Sequence, residues 1–278
     1  MDAATPEHRT PSAASPLDGK CIVVVGGSTG LGLSAARAFL AAGARGVVVT
    51  GRNPENVASA ANDLGARARG LPGDARQASH AEDAIALCLS AFDGFDALYH
   101  VAGGSGRRLG DGPLHEVTDE GLHATLALNL ESVVLSNRAA VRRFLSRKTP
   151  GSILNMGSVL GWSPSPKHFA THVYAAAKSA ILGFTRSIAS YYAAHDIRAN
   201  VLAPALVDTP MAKRAAGDAA IRHFIHTKQP LDGGRIGTPS DCDAAAVFLI
   251  SDGARFVTGQ VLAVDGGWTV SEGQCIGS

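Results

Sequence analysis

Tyr174 and Lys178 stand four residues apart in VYAAAKSAILGF, a segment whose composition predicts helix. Four residues is about one helical turn, so the phenol and the ammonium share a face. A cation beside a phenol favours the phenolate and lowers its pKa. A free tyrosine titrates near ~10 and is a poor acid–base catalyst at neutral pH. Bringing it to ~7 requires about 4 kcal/mol, at about 1.36 kcal/mol per unit. One close lysine supplies part of that. Taken alone, Y-x-x-x-K is a common exposed helix pair, so its weight comes from the rest of the chain.

A Gly-rich turn, GGSTGLG, lies about 150 residues earlier and joins an apolar β-branched run to a helical pattern. Glycines there allow positive φ and close backbone approach, and the helix start presents free N–H groups to a pyrophosphate. The bland alternative is a tight structural turn. Gly26, Gly30 and Gly32 are spaced G-x-x-x-G-x-G, unlike the G-x-G-x-x-G of many dinucleotide sites.

The elements that must position these groups follow from periodicity. Strands are predicted at 21–26, 46–51, 67–71, 95–103, 151–158, 197–204 and 260–267. Helices are predicted at 31–43, 54–64, 77–92, 118–148, 174–194 and 239–250, with Thr118 as N-cap of the fourth. This alternation predicts a Rossmann-like α/β fold, a doubly wound parallel sheet of about seven strands with helices on both faces. Ligands of such sheets sit beyond the carboxyl ends of the strands, where Gly26, Asp74, Gly103, Ser158 and Pro204 all fall. One domain is expected over 19–278, after a disordered leader at 1–18 rich in Pro, Ser, Thr and Ala.

Composition narrows the function classes. A net charge of +1 gives no electrostatic case for nucleic acid or a membrane surface. No apolar run approaches the ~20 residues of a membrane span, and the N-terminus lacks the order of a secretory signal. Cys21, Cys88, Cys242 and Cys275 are far apart with no C-x-x-C, so neither a disulfide framework nor a metal site is expected. A reducing cytoplasm fits this cysteine usage.

With these residues in view, the chain resembles the short-chain dehydrogenase/reductase family, in its short single-domain branch. The markers run from Gly19 to Trp268: VGGSTGLG, Asp74 in PGDAR, HVAG at 100–103, Asn129 in LNL, NMGSVLG with Ser158, YAAAK, ANVLAPALVDTPM and TGQVLAVDGG. The resemblance implies an NAD(P)-dependent oxidoreductase interconverting a ketone or aldehyde and an alcohol. It implies a catalytic set of Asn129, Ser158, Tyr174 and Lys178. Tyr174 would be the general acid/base, and Ser158 would polarise the substrate oxygen. Lys178, aided by the cationic nicotinamide, would lower the Tyr174 pKa and hydrogen-bond the ribose. Asn129 would hold a water linking Lys178 to solvent.

The cofactor would lie on Gly26, Ser28, Thr29, Gly30, Leu31 and Gly32, and on Ala102, Gly103, Asn129, Tyr174, Lys178 and Pro204. Val207 would offer its backbone to the carboxamide, Thr209 would meet the carboxamide or a phosphate, and Asp74 the adenine amine, although Asp74 also reads as a cap for the helix at 77–92. Thr50-Gly51-Arg52-Asn53 after the second strand holds no carboxylate to repel a 2′-phosphate, and Arg52 suits one. NADP(H) is therefore favoured, with NAD(H) possible. Thr29 is not the second cation found in many NADP-using relatives.

Substrate contacts are expected from Ser158, Trp162, Phe169, Tyr174 and Met211, with a mobile substrate loop at 205–236. Phe224 and Ile225 are further apolar candidates. Arg107 and Arg108 in GGSGRRLGDG hint at an anionic group on the substrate, and Lys213, Arg214, Arg222, His223 and His226 read as a solvated face or a site for an acidic substrate. Three features depart from the family pattern, one being a Ser158–Tyr174 interval a few residues longer than typical, expected to form part of the substrate wall. His100 replaces an asparagine and reads as a hydrogen-bonding core residue. Ala205 replaces a glycine, at a cost of roughly 1 kcal/mol if that backbone needs positive φ. The helices at 118–148 and 174–194 imply a homodimer or homotetramer by resemblance. A non-catalytic nucleotide-binding regulator of the same fold is the alternative function.

Overall fold

The computed structural model describes residues 15–273. Cys275 and residues 1–14 of the expected leader lie outside them. Leu17, assigned to the leader from composition, is fully buried, and its N–H donates to Ala42. The packed chain therefore includes the residues just before Gly19.

Seven parallel strands form one sheet in the order β3-β2-β1-β4-β5-β6-β7. They are β1 (Cys21–Val25), β2 (Gly46–Gly51), β3 (Ala68–Pro72), β4 (Ala97–His100), β5 (Gly151–Met156), β6 (Ile197–Pro204) and β7 (Val261–Val264). The central strand β1 is buried at every position. Ile22 and Val24 face one core with Phe39, Leu249 and Ile250. Cys21, Val23 and Val25 face the other with Ile85, Ala140 and Phe144. Burial on both faces is why CIVVV reads as a continuous apolar run rather than an alternation.

The helices are α1 (Gly30–Ala41), α2 (Pro54–Leu64), α3 (Ala78–Phe92), α4 (Asp119–Leu126), α5 (Ser132–Arg147), α6 (His172–Tyr192), α7 (Lys213–Gly217), α8 (Ala219–Lys228) and α9 (Asp243–Ile250). Thr118 caps α4 as expected, its hydroxyl accepting from Gly121 N–H at 3.0 Å. The single helix predicted over 118–148 is interrupted by a π-turn at Ala127–Glu131. Asn129 sits inside that turn and donates to Thr125 O, one turn back, at 2.9 Å. Lys148 ends α5 in the left-handed region, at φ 52°.

Three buried polar side chains lock the long helices to the sheet. Asn155 of β5 exchanges hydrogen bonds with Asn137 of α5 at 2.8 and 2.9 Å and donates to Thr185 of α6 at 3.0 Å. A fully satisfied network of this kind fixes one register between the two helices and the strand. The neighbours β1 and β4 are the point where the chain reverses its winding direction, and their carboxyl ends open a cleft.

Candidate active site

The cleft has a volume of about 630 Å³ and runs along the carboxyl ends of the strands. The β1–α1 turn forms its floor. Gly26 has φ 87°, and a Cβ there would lie 2.6 Å from the backbone nitrogen of Ala102. A Cβ on Gly32 would lie 2.2 Å from Gly26 O. Gly26 therefore lets β1 and β4 converge, and Gly32 lets α1 start against the turn. Gly32 stays behind the lining, while Ser28, Thr29, Gly30 and Leu31 face the cleft. This cradle, closed by any side chain and opening onto the start of α1, fits a dinucleotide pyrophosphate.

At the far end of this floor lie Arg52 and Asp74. The Asp74 carboxylate is gripped by Arg76, with contacts of 3.0 and 3.1 Å from Nε and 2.6 Å from Nη2. That hydrogen bonding holds its carboxyl below the usual range, and the charge of Arg52 adds to the effect. Asp74 does not cap α3, whose N-cap is Gln77 without a side-chain bond. Arg76 carries no family motif, so the sequence reading passed over it. Asn53, beside Arg52, caps α2 by accepting from Asn56 N–H at 3.0 Å.

Two chain segments bring the proton-handling groups together. Tyr174 and Lys178 lie one turn apart on α6, and the Lys178 ammonium is 5.6 Å from the Tyr174 ring centroid. Lys178 also donates to Met156 O at the end of β5, at 2.8 Å. Ser158 follows two residues later, within hydrogen-bonding reach of the Tyr174 phenol. Its hydroxyl accepts from Leu160 N–H at 3.3 Å. Burial pushes the Lys178 ammonium down to about 8. Burial pushes the Tyr174 phenol up, and the Ser158 hydrogen bond opposes it. The sequence reading expected Lys178 to lower Tyr174. In the protein alone, desolvation is the larger influence and Ser158 the counterweight.

Asn129 is fully buried and does not line the cleft. Its amide accepts from Gly104 N–H at 3.0 Å and donates to Gly104 O at 2.9 Å. The side chain is thus committed to holding the strand end at Gly103-Gly104. A Cβ on Gly103 would sit 2.9 Å from Asn129 Oδ1 and 3.6 Å from Lys178 Nζ, so Asn129 and Lys178 flank the same backbone.

His100 is fully buried, 2.7 Å from Ser136 Oγ, 3.1 Å from Ala102 O and 3.3 Å from Ser132 Oγ. Burial and the Lys178 charge push its imidazole down to about 3. It is a neutral strut between β4 and the long helix, in line with the core role expected for it. Ala205 is absent from the residues with positive φ, so the glycine-replacement cost does not arise.

The substrate side departs from expectation at several residues. Trp162 is 41% exposed and lies outside the cleft. Phe169 lines the cleft, as does Trp268, which no motif had marked for a role. Trp268 packs edge-on to Phe169 and Phe224 and donates its indole N–H to Ser163 O at 3.2 Å. Phe224 and Ile225 point into this cluster rather than the cleft, and Ile225 is fully buried. Met211, Val207, Thr209 and Pro204 do line the cleft, as do Ala102 and Gly103. Val207 forms a parallel bridge with Gly237, which pins the start of the substrate loop.

Asp111 lies in the GGSGRRLGDG segment, where only the two arginines were singled out from the sequence. Its buried carboxylate accepts from Val173 N–H at 3.1 Å and Tyr174 N–H at 2.9 Å. It thus caps α6 from 62 residues away in sequence, since Thr171 makes no side-chain cap.

Comparison with known proteins gives the family. The family profile described as enoyl-(acyl carrier protein) reductase matches residues 25–269. A 2,5-dichloro-2,5-cyclohexadiene-1,4-diol dehydrogenase of Sphingobium indicum is 36% identical over 92% of this chain and 99% of its own. A galactitol 2-dehydrogenase (L-tagatose-forming) of Cereibacter sphaeroides is 35% identical over 91% of this chain and 96% of its own. The crystal structure of a gluconate 5-dehydrogenase from Burkholderia cenocepacia, in complex with NADP and tartrate, superposes with a TM-score of 0.82. It is 31% identical over 92% of this chain and 97% of that one. The chain belongs to the short-chain dehydrogenase/reductase family and is an oxidoreductase of that class.

Proposed function

We propose that the protein interconverts a secondary alcohol and a ketone, with NADP(H) favoured over NAD(H). The observation that carries this reading is the meeting of Tyr174, Ser158 and Lys178 at one wall of a cleft floored by the glycine turn. Tyr174 donates a proton to the carbonyl oxygen during reduction and accepts one from the alcohol during oxidation. Ser158 hydrogen-bonds the same oxygen and aligns it with the phenol. Lys178 holds a positive charge beside the phenol, which favours its ionised form in the oxidative direction. Asn129 keeps Gly103-Gly104 in register so that the nicotinamide pocket retains its shape.

The nicotinamide, when bound, supplies or accepts the hydride. The glycine turn would hold its pyrophosphate, Asp74 the adenine, and Val207 and Thr209 the carboxamide. Arg52, with no carboxylate beside it on the turn after β2, favours a 2′-phosphate. The similar gluconate dehydrogenase solved with NADP, and the diol and polyol dehydrogenases among the relatives, support both parts of the reading. A homo-oligomer is the assembly we propose.

The test is turnover of NADPH and NADH against cyclic and acyclic ketones, with matched dissociation constants for both cofactors. Tyr174→Phe is expected to lower kcat by about 10³-fold while NADPH binding stays within about twofold. Arg52→Ala is expected to remove a preference of about tenfold for NADPH. Full activity in the Tyr174 variant would end the mechanistic reading. Tighter NADH than NADPH binding in the unaltered protein would end the cofactor reading.

A further inference from the structure

The half of the cleft beyond Tyr174 is electropositive. Arg107, from the loop after β4, and Arg214, from α7, stand at its mouth. Asp74 is the one carboxylate among the described residues lining the cleft, and it lies at the opposite end, already paired with Arg76. Among the described residues, no other carboxylate lines the cleft.

The same two arginines also line a second hollow of about 360 Å³, together with Lys167 and His168. They form a shared wall, so the hollow opens off the mouth of the cleft. Its one acidic residue is Asp218, which is engaged elsewhere. Its carboxylate caps α8 by accepting from Ala220 N–H at 2.8 Å and Ile221 N–H at 3.1 Å. Those hydrogen bonds, then the charges of Arg214 and His168, hold it below the ordinary carboxyl range. Three permanent cations thus meet one carboxylate. The wall is also set in place: His168 lies 5.0 Å from the Phe224 ring, and Phe224 packs on Trp268. No residue of the glycine turn reaches this hollow, so the cofactor pyrophosphate does not account for its charge.

Resting on the oxidoreductase reading above, we propose that the substrate carries an oxyanion, a carboxylate or phosphate, seated between Arg107 and Arg214 while its hydroxyl or carbonyl faces Tyr174. Two guanidinium groups lining one hollow suit the paired oxygens of such a group and would charge-assist its hydrogen bonds. Arg107 and Arg214 are then specificity-determining residues, and Lys167 and His168 add to the field that draws the anion in.

The test is calorimetric binding of three probes to the full chain saturated with NADP⁺: cyclohexanecarboxylate, cyclohexyl phosphate and neutral cyclohexanecarboxamide. One or both anions are expected to bind at least about tenfold more tightly than the amide, and the tighter of the two names the group. In Arg107→Ala/Arg214→Ala the anion and amide affinities should converge to within about threefold. Raising salt from about 0.05 to about 0.5 M should weaken the anion and leave the amide nearly unchanged. Anions that bind no better than the amide, or that keep their advantage in the double variant, would overturn the proposal. So would a double variant that weakens NADP⁺ as much as the anion, since the arginines would then serve the cofactor. Binding is read here without turnover, so an inactive protein would count against the oxidoreductase reading and leave this outcome legible.

Discussion

Lys178 carries its charge into a place where burial alone pulls the ammonium down to about 8, from an ordinary value of 10.5. Between those values the unfolded chain holds more proton than the folded one, so stability rises with pH across that window. The cost of burying the charge is fully present below about 8 and is relieved as pH climbs. Lys178→Met removes this dependence. From about pH 7.5 to about pH 9.5, the stability of the unaltered protein relative to that variant should rise by about 2 kcal/mol. Urea unfolding of both proteins at the two pH values, without cofactor, measures it. A constant difference would mean that Lys178 titrates near its ordinary value. The spacing of Tyr174 and Lys178 was legible in the sequence because helical periodicity is local. The raised phenol was not, because desolvation depends on what the rest of the chain packs around it.

At the scale of elements, α6 is the part on which the chemistry stands, and its first turn is fixed by a distant loop. Asp111 accepts the N–H groups of Val173 and Tyr174, and Gly112 O accepts from His172 N–H at 3.3 Å. A carboxylate at a helix N-terminus also complements the helix dipole. Asp111→Ala should cost about 1–2 kcal/mol of stability. It should also lower kcat more than it raises KM, because Tyr174 sits on the freed turn. Asp111→Asn should recover part of both, since its amide oxygen still accepts one N–H. Denaturant unfolding and steady-state kinetics on the same preparations decide it. Stability within a few tenths of a kcal/mol of the unaltered protein, with kcat intact, would remove Asp111 from this role. The cap escaped a sequence reading because the two partners lie 62 residues apart and neither segment shows a local capping pattern around the other. The π-turn at Asn129 escaped for a related reason: Leu and Ala around it satisfy an ordinary helical pattern, and its bonds to Gly104 reach 25 residues back along the chain.

At the scale of the whole molecule, β7 is an edge strand, and apolar groups stand uncovered near it. Phe256 is fully exposed, Val270 is 90% exposed and Leu262 faces solvent in part. Tyr191, on α6, is another exposed aromatic. If a homo-oligomer forms, light scattering at micromolar concentration should give a multiple of 28.4 kDa. Phe256→Asp should shift the mass toward one chain, because a desolvated charge opposes burial of that face. A single-chain mass for the unaltered protein would set the oligomer aside.

What the sequence by itself determined was the part written in short-range pattern. Apolar runs such as CIVVV set the buried strands, Gly26 and Gly32 set the turn that the cofactor needs, and the Tyr174–Lys178 spacing set one face of α6. These depend on residue type and separation along the chain. The tertiary structure alone decided which distant groups meet. It turned Trp162 outward and Trp268 inward, and it left Ala205 without strain. It tied Asp111 to α6 across sixty-two residues. It also brought Arg107 and Arg214, far apart in sequence, to the lining of one cleft. Charge pairing and desolvation act through space, and their sign at each residue is set only once the sheet has gathered its loops on one edge.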